Sequence, residues 1–252
     1  MTVILAAIDN SGAALPVLRA AATMARTLQA EARAVHVREG TDIDAAAMGL
    51  HVGMSIEAID GDPIDRIVEA SANADVDLVV IGARRHVAGR RTFGHVARAI
   101  MTQVHKPVLV VPPDSLLPGA NRFQRVLVPL EGSVDSADAV AEQLRTLTEA
   151  GAAITVVHVF HPGTLPRFWD QAGHAHQSWA SEFLTHWCAQ PAVELLLRSG
   201  DVAAAILDVA AEEAIDLIVL GWSQNITGDR ARVVRDLLSR SEVPVLLTPV
   251  TR

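Results

Sequence analysis

The chain contains the same pattern twice, and this internal repeat constrains its fold more than any other feature of the sequence. Val76–Gly82 returns as Ile215–Gly221, 139 positions later, and Lys106–Pro112 returns as Val243–Pro249. Both are short, mostly apolar runs that end at a glycine or a proline. A repeat of this kind means that one structural unit is built twice along the chain. We therefore expect the 252 residues to form two related halves.

Ten short apolar runs are predicted to be β-strands. They are continuous rather than alternating, which is typical of parallel strands with helices on both faces. The runs of the first half are Val3–Ile8, Ala32–Val37, Ser55–Ala58, Leu78–Ile81 and Val108–Val111. Those of the second half are Val126–Leu130, Ile154–Val159, Glu194–Leu197, Leu217–Leu220 and Val245–Leu247.

Helical patterns separate these runs, and strands that alternate with helices predict a doubly wound fold. The expected fold class is α/β, with two repeated, mostly parallel five-stranded sheets. Asp62 and Pro63 are typical of a helix N-cap and of the first helical residue. The offset between the two copies grows from 122 to 139 residues in the middle of the second half. We interpret this insertion as one additional helix at Gln171–Cys188, missing or residual in the first copy.

The bulk composition argues against several function classes. A net charge of −8 and a pI near 5.6 argue against a nucleic-acid partner. Cys188 is the single cysteine, so we expect no disulfide and a reducing compartment. No apolar stretch reaches the ~20 residues that a membrane-spanning helix needs, and the first residues lack the basic segment of an export signal. The sequence thus predicts a cytoplasmic protein with no membrane partner.

The segment Gly82–His95 is the strongest candidate for a functional loop. It follows a predicted strand and leads into a helix, which is where open α/β sheets bind their ligands. Glycines let backbone N–H groups approach a phosphate, and a helix N-terminus adds unpaired donors. Arginines at positions 84, 85, 90 and 91 add positive charge. These residue types fit a phosphate-binding loop and a solvated basic loop equally well, so both interpretations stay open.

Taken in order, these motifs resemble those of the universal stress protein family. The resemblance rests on Asp9 and Ser11, Val35–Val37, Gly61–Pro63, the Leu78–Gly82 strand with its loop, and Pro107–Val111. Because the pattern occurs twice, the chain is similar to a tandem member. The resemblance implies a flavodoxin-like or adenine-nucleotide-hydrolase-like fold in each half. Residues 1–114 are then the first domain, residues 115–123 the linker and residues 124–252 the second domain.

The resemblance also has implications for assembly. In the family, the closing strands of neighbouring domains pair across a two-fold axis. Val108–Val111 and Val245–Thr248 are the apolar edges suited to such pairing here, since an edge this apolar is unfavourable in water. We therefore expect an intramolecular pseudo-dimer of the two halves. A homodimer of the whole chain is a further expectation.

Nucleotide-binding members of the family hold ATP with a loop that reads Gly, two residues, Gly, nine residues, Gly, then Ser or Thr. The first half keeps Gly82 and Gly94 as the first and third glycines. Arg85 replaces the second glycine, His95 replaces the Ser or Thr, and eight residues separate Arg85 from Gly94. An arginine does not allow the close backbone approach of a glycine, whereas His95 can still donate to a phosphate.

The resemblance implies that Asp9 meets the ribose or the adenine edge, with apolar residues bordering the base. ATP or another adenine nucleotide is thus the implied ligand of the first half. The predicted nucleotide-binding residues are Ala7, Asp9, Val37, Ile81, Gly82, Arg84, Arg85, Gly94, His95 and Val96.

The second half departs further from the family loop. Gln224 and Ala231 stand at the second and third glycine positions, and Arg232 stands at the Ser or Thr position. Glu131 replaces the aspartate, and Trp222 is expected to crowd the cleft that a nucleotide needs. We therefore expect a structural role for this copy.

The sequence leaves three functional hypotheses. The leading one is a non-enzymatic stress-response or signalling protein with an adenine nucleotide in its first half. The second is a ligand-free interaction scaffold in which both sites are degenerate. The third is a weak ATP hydrolase, which is least favoured because no base or metal-holding carboxylate beyond Asp9 stands beside the loop. His174, His176, His186 and Cys188 lack the spacing of zinc ligands, so no metal is predicted.

Overall fold

The computed structural model describes most of both halves of the chain. The described residues are 2–10, 14–38, 53–85, 91–92, 94–115, 117, 122–161, 163, 165–166, 169, 173–188, 190, 193–225 and 229–250. At 84–85, 91–92 and 229–230 the description covers the backbone alone.

The first half is a five-stranded parallel sheet with helices packed on both faces. Its strands are β1 Val3–Ile8, β2 Glu31–Val37, β3 Ser55–Ile59, β4 Val76–Gly82 and β7 Val108–Val111. A separate short antiparallel hairpin, β5 Arg84–Arg85 and β6 Arg91–Thr92, follows β4. Its helices are α1 Ala14–Leu28, α2 Pro63–Ser71 and α3 His95–Gln103.

The second half repeats this arrangement. Its strands are β8 Arg125–Pro129, β9 Ala153–Phe160, β10 Glu194–Ser199, β11 Leu217–Trp222 and β12 Val245–Pro249. Its helices are α4 Val134–Glu149, α5 Gly173–Trp187, α6 Val202–Glu212 and α7 Asp229–Arg240.

The ten predicted strands are confirmed, each within two residues of its predicted bounds. The additional helix of the second half is also confirmed, as α5, and its buried residue Phe183 packs into the core with Trp179 and Trp187 beside it. The three- and four-residue spacing in the sequence also predicts Phe168 and Ala172 on the face that holds these three residues, but both lie outside the described residues. Residues 39–52, where a counterpart of α5 was expected to be missing or residual, also lie outside the described residues.

The ten main strands form one continuous sheet with the order β10-β9-β8-β11-β12-β7-β4-β1-β2-β3. Pairing is parallel within each half. The halves meet where β7 and β12 pair antiparallel, with Leu109 opposite Leu246. The two predicted five-stranded sheets are thus joined edge to edge through the two closing strands.

Two apolar cores lie on opposite faces of this sheet, and both extend across the two halves. One contains Leu18 of α1 together with Leu144 of α4. The other contains Ile100 of α3 together with Leu237 of α7. Burial of apolar surface therefore links the halves on both faces of the sheet, in addition to the β7–β12 hydrogen bonds. Within the described part of the chain, no helix is both long and apolar enough to cross a membrane.

Candidate functional site

A cavity of about 300 Å³ opens at the carboxyl edge of the first-half sheet. It lies beside the ends of β1 and β4, which are neighbours in the sheet although β2 and β3 intervene in the chain. This is the topological switch point at which open α/β sheets bind ligands. The volume is at the lower end of the range for small-molecule sites. The fold therefore places a cavity where its topology predicts a ligand.

Three helix N-termini surround this cavity. The first residues of α1 and α2, Ala14 and Pro63, line it, as do Gly94 and His95 at the start of α3. The α2 end is capped internally, since the Asp62 carboxylate accepts hydrogen bonds from two backbone N–H groups of the first turn, at 2.9 and 3.1 Å. Its donors are thus partly used within the protein.

The α3 end differs, because its N-cap is Gly94 and no side chain caps it. The first intrahelical bond runs from the Arg98 N–H to the Gly94 carbonyl, at 3.1 Å. The N–H groups from Gly94 to Ala97 therefore have no partner within the helix. Together with the helix dipole, these donors favour an anion at this rim of the cavity.

Eight of the ten predicted site residues line this one cavity. They are Ala7, Asp9, Val37, Ile81, Gly82, Gly94, His95 and Val96. The other two, Arg84 and Arg85, form β5, and their side chains lie outside the described residues. That any of the ten contacts a nucleotide stays a prediction.

Seven further residues that line this cavity were not predicted from the sequence. They lie at the end of β1 or in the first two turns of α1, α2 and α3, and they are Ile8, Ala14, Val17, Pro63, Ile67, Ala97 and Ile100. The Asp62–Pro63 helix start gave a usable signal, because it follows β3 and so had to lie at the carboxyl edge of the sheet.

A buried histidine supports the strand end that carries Asp9. The Nδ1 atom of His36 lies 3.2 Å from the Ile8 carbonyl oxygen, and His36 is buried in β2. Because a carbonyl can only accept, Nδ1 carries the hydrogen. The second half repeats the contact, with Nδ1 of His158 donating to the Leu130 carbonyl at 2.8 Å. Burial lowers the pKa of His158 and so favours the neutral ring.

The second half has a larger cavity, about 490 Å³, at the equivalent place. Trp222 lines this cavity without filling it, so the expectation that it would crowd the cleft is wrong. The physical reason is that Trp222 is 4% exposed and its indole Nε1–H donates to the Met101 carbonyl of the first half, at 3.1 Å. The ring is held at the boundary between the halves.

The polar groups around the second cavity are arranged differently from those of the first. His95 and Arg232 stand at the same position of the family loop. Helix α3 begins at His95, whereas α7 begins at Asp229, three residues before Arg232. The start of α7 is therefore displaced by about 4.5 Å along the helix axis relative to the start of α3. Glu131 accepts a hydrogen bond from the hydroxyl of Ser133, at 2.7 Å, and Ser133 is the N-cap of α4.

The sequence model of the universal stress protein family matches residues 44–112 and 122–249, well over half of the chain. The chain belongs to the universal stress protein family. The predicted family is thus confirmed, and the two matched segments correspond to the two halves of the sheet.

Solved structures share the fold of this universal stress protein over its full length. One from Archaeoglobus fulgidus DSM 4304 has a TM-score of 0.69 at 19% sequence identity, covering 99% of this chain and 98% of its own. A putative universal stress protein from Pseudomonas aeruginosa UCBPP-PA14 has a TM-score of 0.68 at 15% identity, covering 99% and 93%. These similarities show the fold. A comparison with curated proteins gave no match.

The histidines of α5, at positions 174, 176 and 186, do not form a metal centre. Among the described residues of this universal stress protein, no three His, Cys, Asp or Glu side chains converge. His176 contacts the Trp169 carbonyl through Nε2, at 3.1 Å. Cys188 is buried at the end of α5, and burial raises the pKa of its thiol. The absence of a bound metal stays a prediction.

Proposed function

We propose that this universal stress protein is a non-enzymatic stress-response or signalling protein that binds ATP or another adenine nucleotide in the first-half cavity. The observation that carries the proposal is the pairing of an apolar switch-point cavity with the uncapped N-terminus of α3. Apolar walls suit a base, and unpaired N–H groups suit phosphates. One cavity therefore offers both kinds of contact that an adenine nucleotide needs.

The base end of the cavity is formed by apolar side chains. Val37 and Ile81 are buried and Ala7 is half-buried, so a planar base can bury its faces against them. Asp9 follows β1 at the same edge, and its carboxylate is the acceptor for ribose hydroxyls or for the adenine amino group.

The phosphate end lies toward α3. Its unpaired N–H groups start at Gly94, and His95 beside them supplies a side-chain donor. The β5–β6 hairpin leads from β4 into this helix and contains Arg84, Arg85 and Arg91. On a chain with net charge −8, such a local concentration of arginine favours a polyphosphate.

We propose sensing rather than hydrolysis. Asp9 and His95 are the titratable residues among the described lining of this cavity. Phosphoryl transfer relies on metal-holding groups and on a residue that orients the attacking water, and one carboxylate cannot supply both. Phosphate release at a rate that falls on Asp9→Ala would contradict this part of the proposal.

A titration of the purified chain with ATP tests the proposal directly. We expect one ATP to bind per chain, with a dissociation constant in the micromolar range, about 8 kcal/mol of binding free energy. The supernatant of heat-denatured protein is expected to show adenine absorbance if the nucleotide co-purifies. No binding heat for ATP, ADP or AMP, together with no adenine absorbance, would overturn the nucleotide proposal.

A ligand-free scaffold is the second candidate, and the arginine at the second glycine position favours it. The chain is then an intramolecular pseudo-dimer, joined by β7 and β12, that works through protein contacts alone. Arg85→Gly separates the two candidates. In a scaffold it creates nucleotide binding where none existed, whereas in a working site it changes only the affinity. A homodimer and a cytoplasmic location stay predictions under either candidate.

A further inference from the structure

Two side chains of the second half reach across to the C-terminal end of α3 in the first half. The indole Nε1–H of Trp222 donates to the Met101 carbonyl at 3.1 Å. The amide Nε2 of Gln224 donates to the Val104 carbonyl at 2.7 Å. We refer to Trp222 and Gln224 as the clasp. Trp222 is the last residue of β11 and Gln224 follows it. In the second half, β11 is equivalent to β4, the strand beside the first cavity.

The clasp satisfies carbonyls that the helix itself leaves unpaired. The last intrahelical bond of α3 runs from the N–H of its C-cap, Val104, to the Ile100 carbonyl at 3.0 Å. The carbonyls from Met101 to Val104 therefore have no partner within the helix. Met101 and Val104 are both buried, where an unpaired carbonyl is unfavourable. The second half thus supplies the C-terminal cap of a first-half helix.

The backbone of Gln224 indicates that this arrangement is specific. Its φ is 56°, in the left-handed region that residues with a Cβ rarely adopt. Gln224 stands at the second glycine position of the family loop, and glycine adopts such a φ readily. The second half keeps the glycine-like backbone conformation but adds an amide that glycine lacks. That amide makes the shorter of the two clasp bonds.

The opposite end of α3 faces the first cavity. The nine residues of α3 give it a length of about 13 Å. If the C-terminal end were released, a tilt of about 10° about the helix midpoint would move the N-terminal donors by about 1 Å. A hydrogen bond to a phosphate oxygen tolerates only a few tenths of an ångström. The position of Gly94 and His95 therefore depends on what holds Met101 and Val104.

We propose that Trp222 and Gln224 are positioning residues for the nucleotide site of the first half. They fix α3 from its C-terminal end and so hold its N-terminal donors in the geometry that binds phosphate. This inference rests on the proposed nucleotide binding. It gives the diverged loop of the second half a role of its own, since it no longer carries the family pattern yet completes the site of the other half.

The indole contact has no equivalent in the opposite direction. Ala83, the counterpart of Trp222, has no side-chain donor, and it is buried. Beyond α7, the Ser241 hydroxyl donates to the Val243 carbonyl at 2.7 Å and accepts from the Val243 N–H at 3.3 Å, and neither bond uses a carbonyl of the helix. The second half thus supports α3 through its indole, and Ala83 returns no such contact to α7.

The double variant Trp222→Phe/Gln224→Gly removes both clasp bonds and also trims the buried ring at position 222. Phenylalanine keeps an aromatic ring without the N–H, and glycine suits a φ of 56° without the amide. We expect amide exchange of α3 in the nucleotide-free protein to accelerate about tenfold, and the dissociation constant for ATP to rise about tenfold. Hydrogen exchange by mass spectrometry and ATP calorimetry, both at a temperature where the variant is fully folded, measure the two effects.

Ser223→Ala is the matched control, because Ser223 lies between the clasp residues and is exposed. It is expected to leave both measurements unchanged. Wild-type exchange rates for α3 in the double variant would overturn the clasp. Faster exchange with an unchanged ATP affinity would overturn the positioning role and reduce the clasp to a structural contact. If the wild-type protein binds no ATP, both the proposed function and the positioning role are wrong. If the wild type and the double variant bind ATP with equal affinity, only the positioning role is wrong.

Discussion

Replacing Leu109 with alanine is expected to lower the free energy of unfolding of the whole chain by about 3 kcal/mol. Leu109 is completely buried in β7, opposite Leu246 of β12, where the two halves join. The change removes three heavy atoms from a close-packed core and leaves a cavity at the centre of the ten-stranded sheet. For a chain of this size, the melting temperature should fall by about 9 °C.

The tryptophans make this experiment informative about how the halves cooperate. All four, Trp169, Trp179, Trp187 and Trp222, lie in the second half. In a Trp222→Phe background, which removes the indole that contacts Met101 of the first half, the fluorescence of the other three reports unfolding of the second half. Circular dichroism reports both halves. If the shared sheet and cores make the chain one cooperative unit, Leu109→Ala in the first half shifts the denaturant midpoint equally by both probes. A shift in circular dichroism with an unchanged fluorescence midpoint would mean that the halves unfold separately.

Two further variants complete the design. Val134→Ala is the control for loss of apolar volume, because Val134 is 60% exposed, and its effect should stay within about 0.5 kcal/mol. Leu246→Ala should be as destabilising as Leu109→Ala, since Leu246 is buried in the same core. The double variant should cost less than the sum of the two single variants, because neighbouring side chains share one cavity.

The strands could be predicted because each must be buried on both faces. Val79 and Val80 point to opposite sides of β4 and are both fully buried, so the run had to be continuously apolar. The same reasoning applies to Val108–Val111, whose apolar edge is covered by β12. The predicted lining of the first cavity came from the resemblance to the family instead, and eight of its ten residues line that cavity.

The β5–β6 hairpin and the contacts between the halves could not be predicted in the same way. The β5–β6 hairpin lies in an arginine-rich segment with no apolar pattern, and the sequence suggested only a loop there. Trp222 and Met101 are 121 positions apart, and no local pattern relates an indole to a distant helix end. The sequence showed correctly that Trp222 stood out in its loop, but the side chain turns to the boundary between the halves instead of into the cleft.

Gly94→Asp is expected to weaken ATP binding by about 100-fold while leaving the protein at least as stable as wild type. Gly94 is the N-cap of α3, with φ −62° and ψ 164°, a conformation that aspartate adopts readily. Aspartate is among the best N-cap residues, so its carboxylate should accept the first-turn N–H groups and stabilise the helix by a few tenths of a kcal/mol. It would then occupy the donors proposed for the phosphates and repel their charge.

The opposite signs of the two effects make the test decisive, because general damage would lower stability and affinity together. Calorimetry with ATP measures the affinity, and thermal unfolding without nucleotide measures the stability. Gly94→Ser is the control for capping without charge, and we expect it to weaken ATP binding by less than about tenfold. Adenosine, which lacks phosphates, should bind wild type and Gly94→Asp equally if its base lies against Val37 and Ile81. Unchanged ATP affinity in a Gly94→Asp variant that folds normally would show that no phosphate lies at the start of α3.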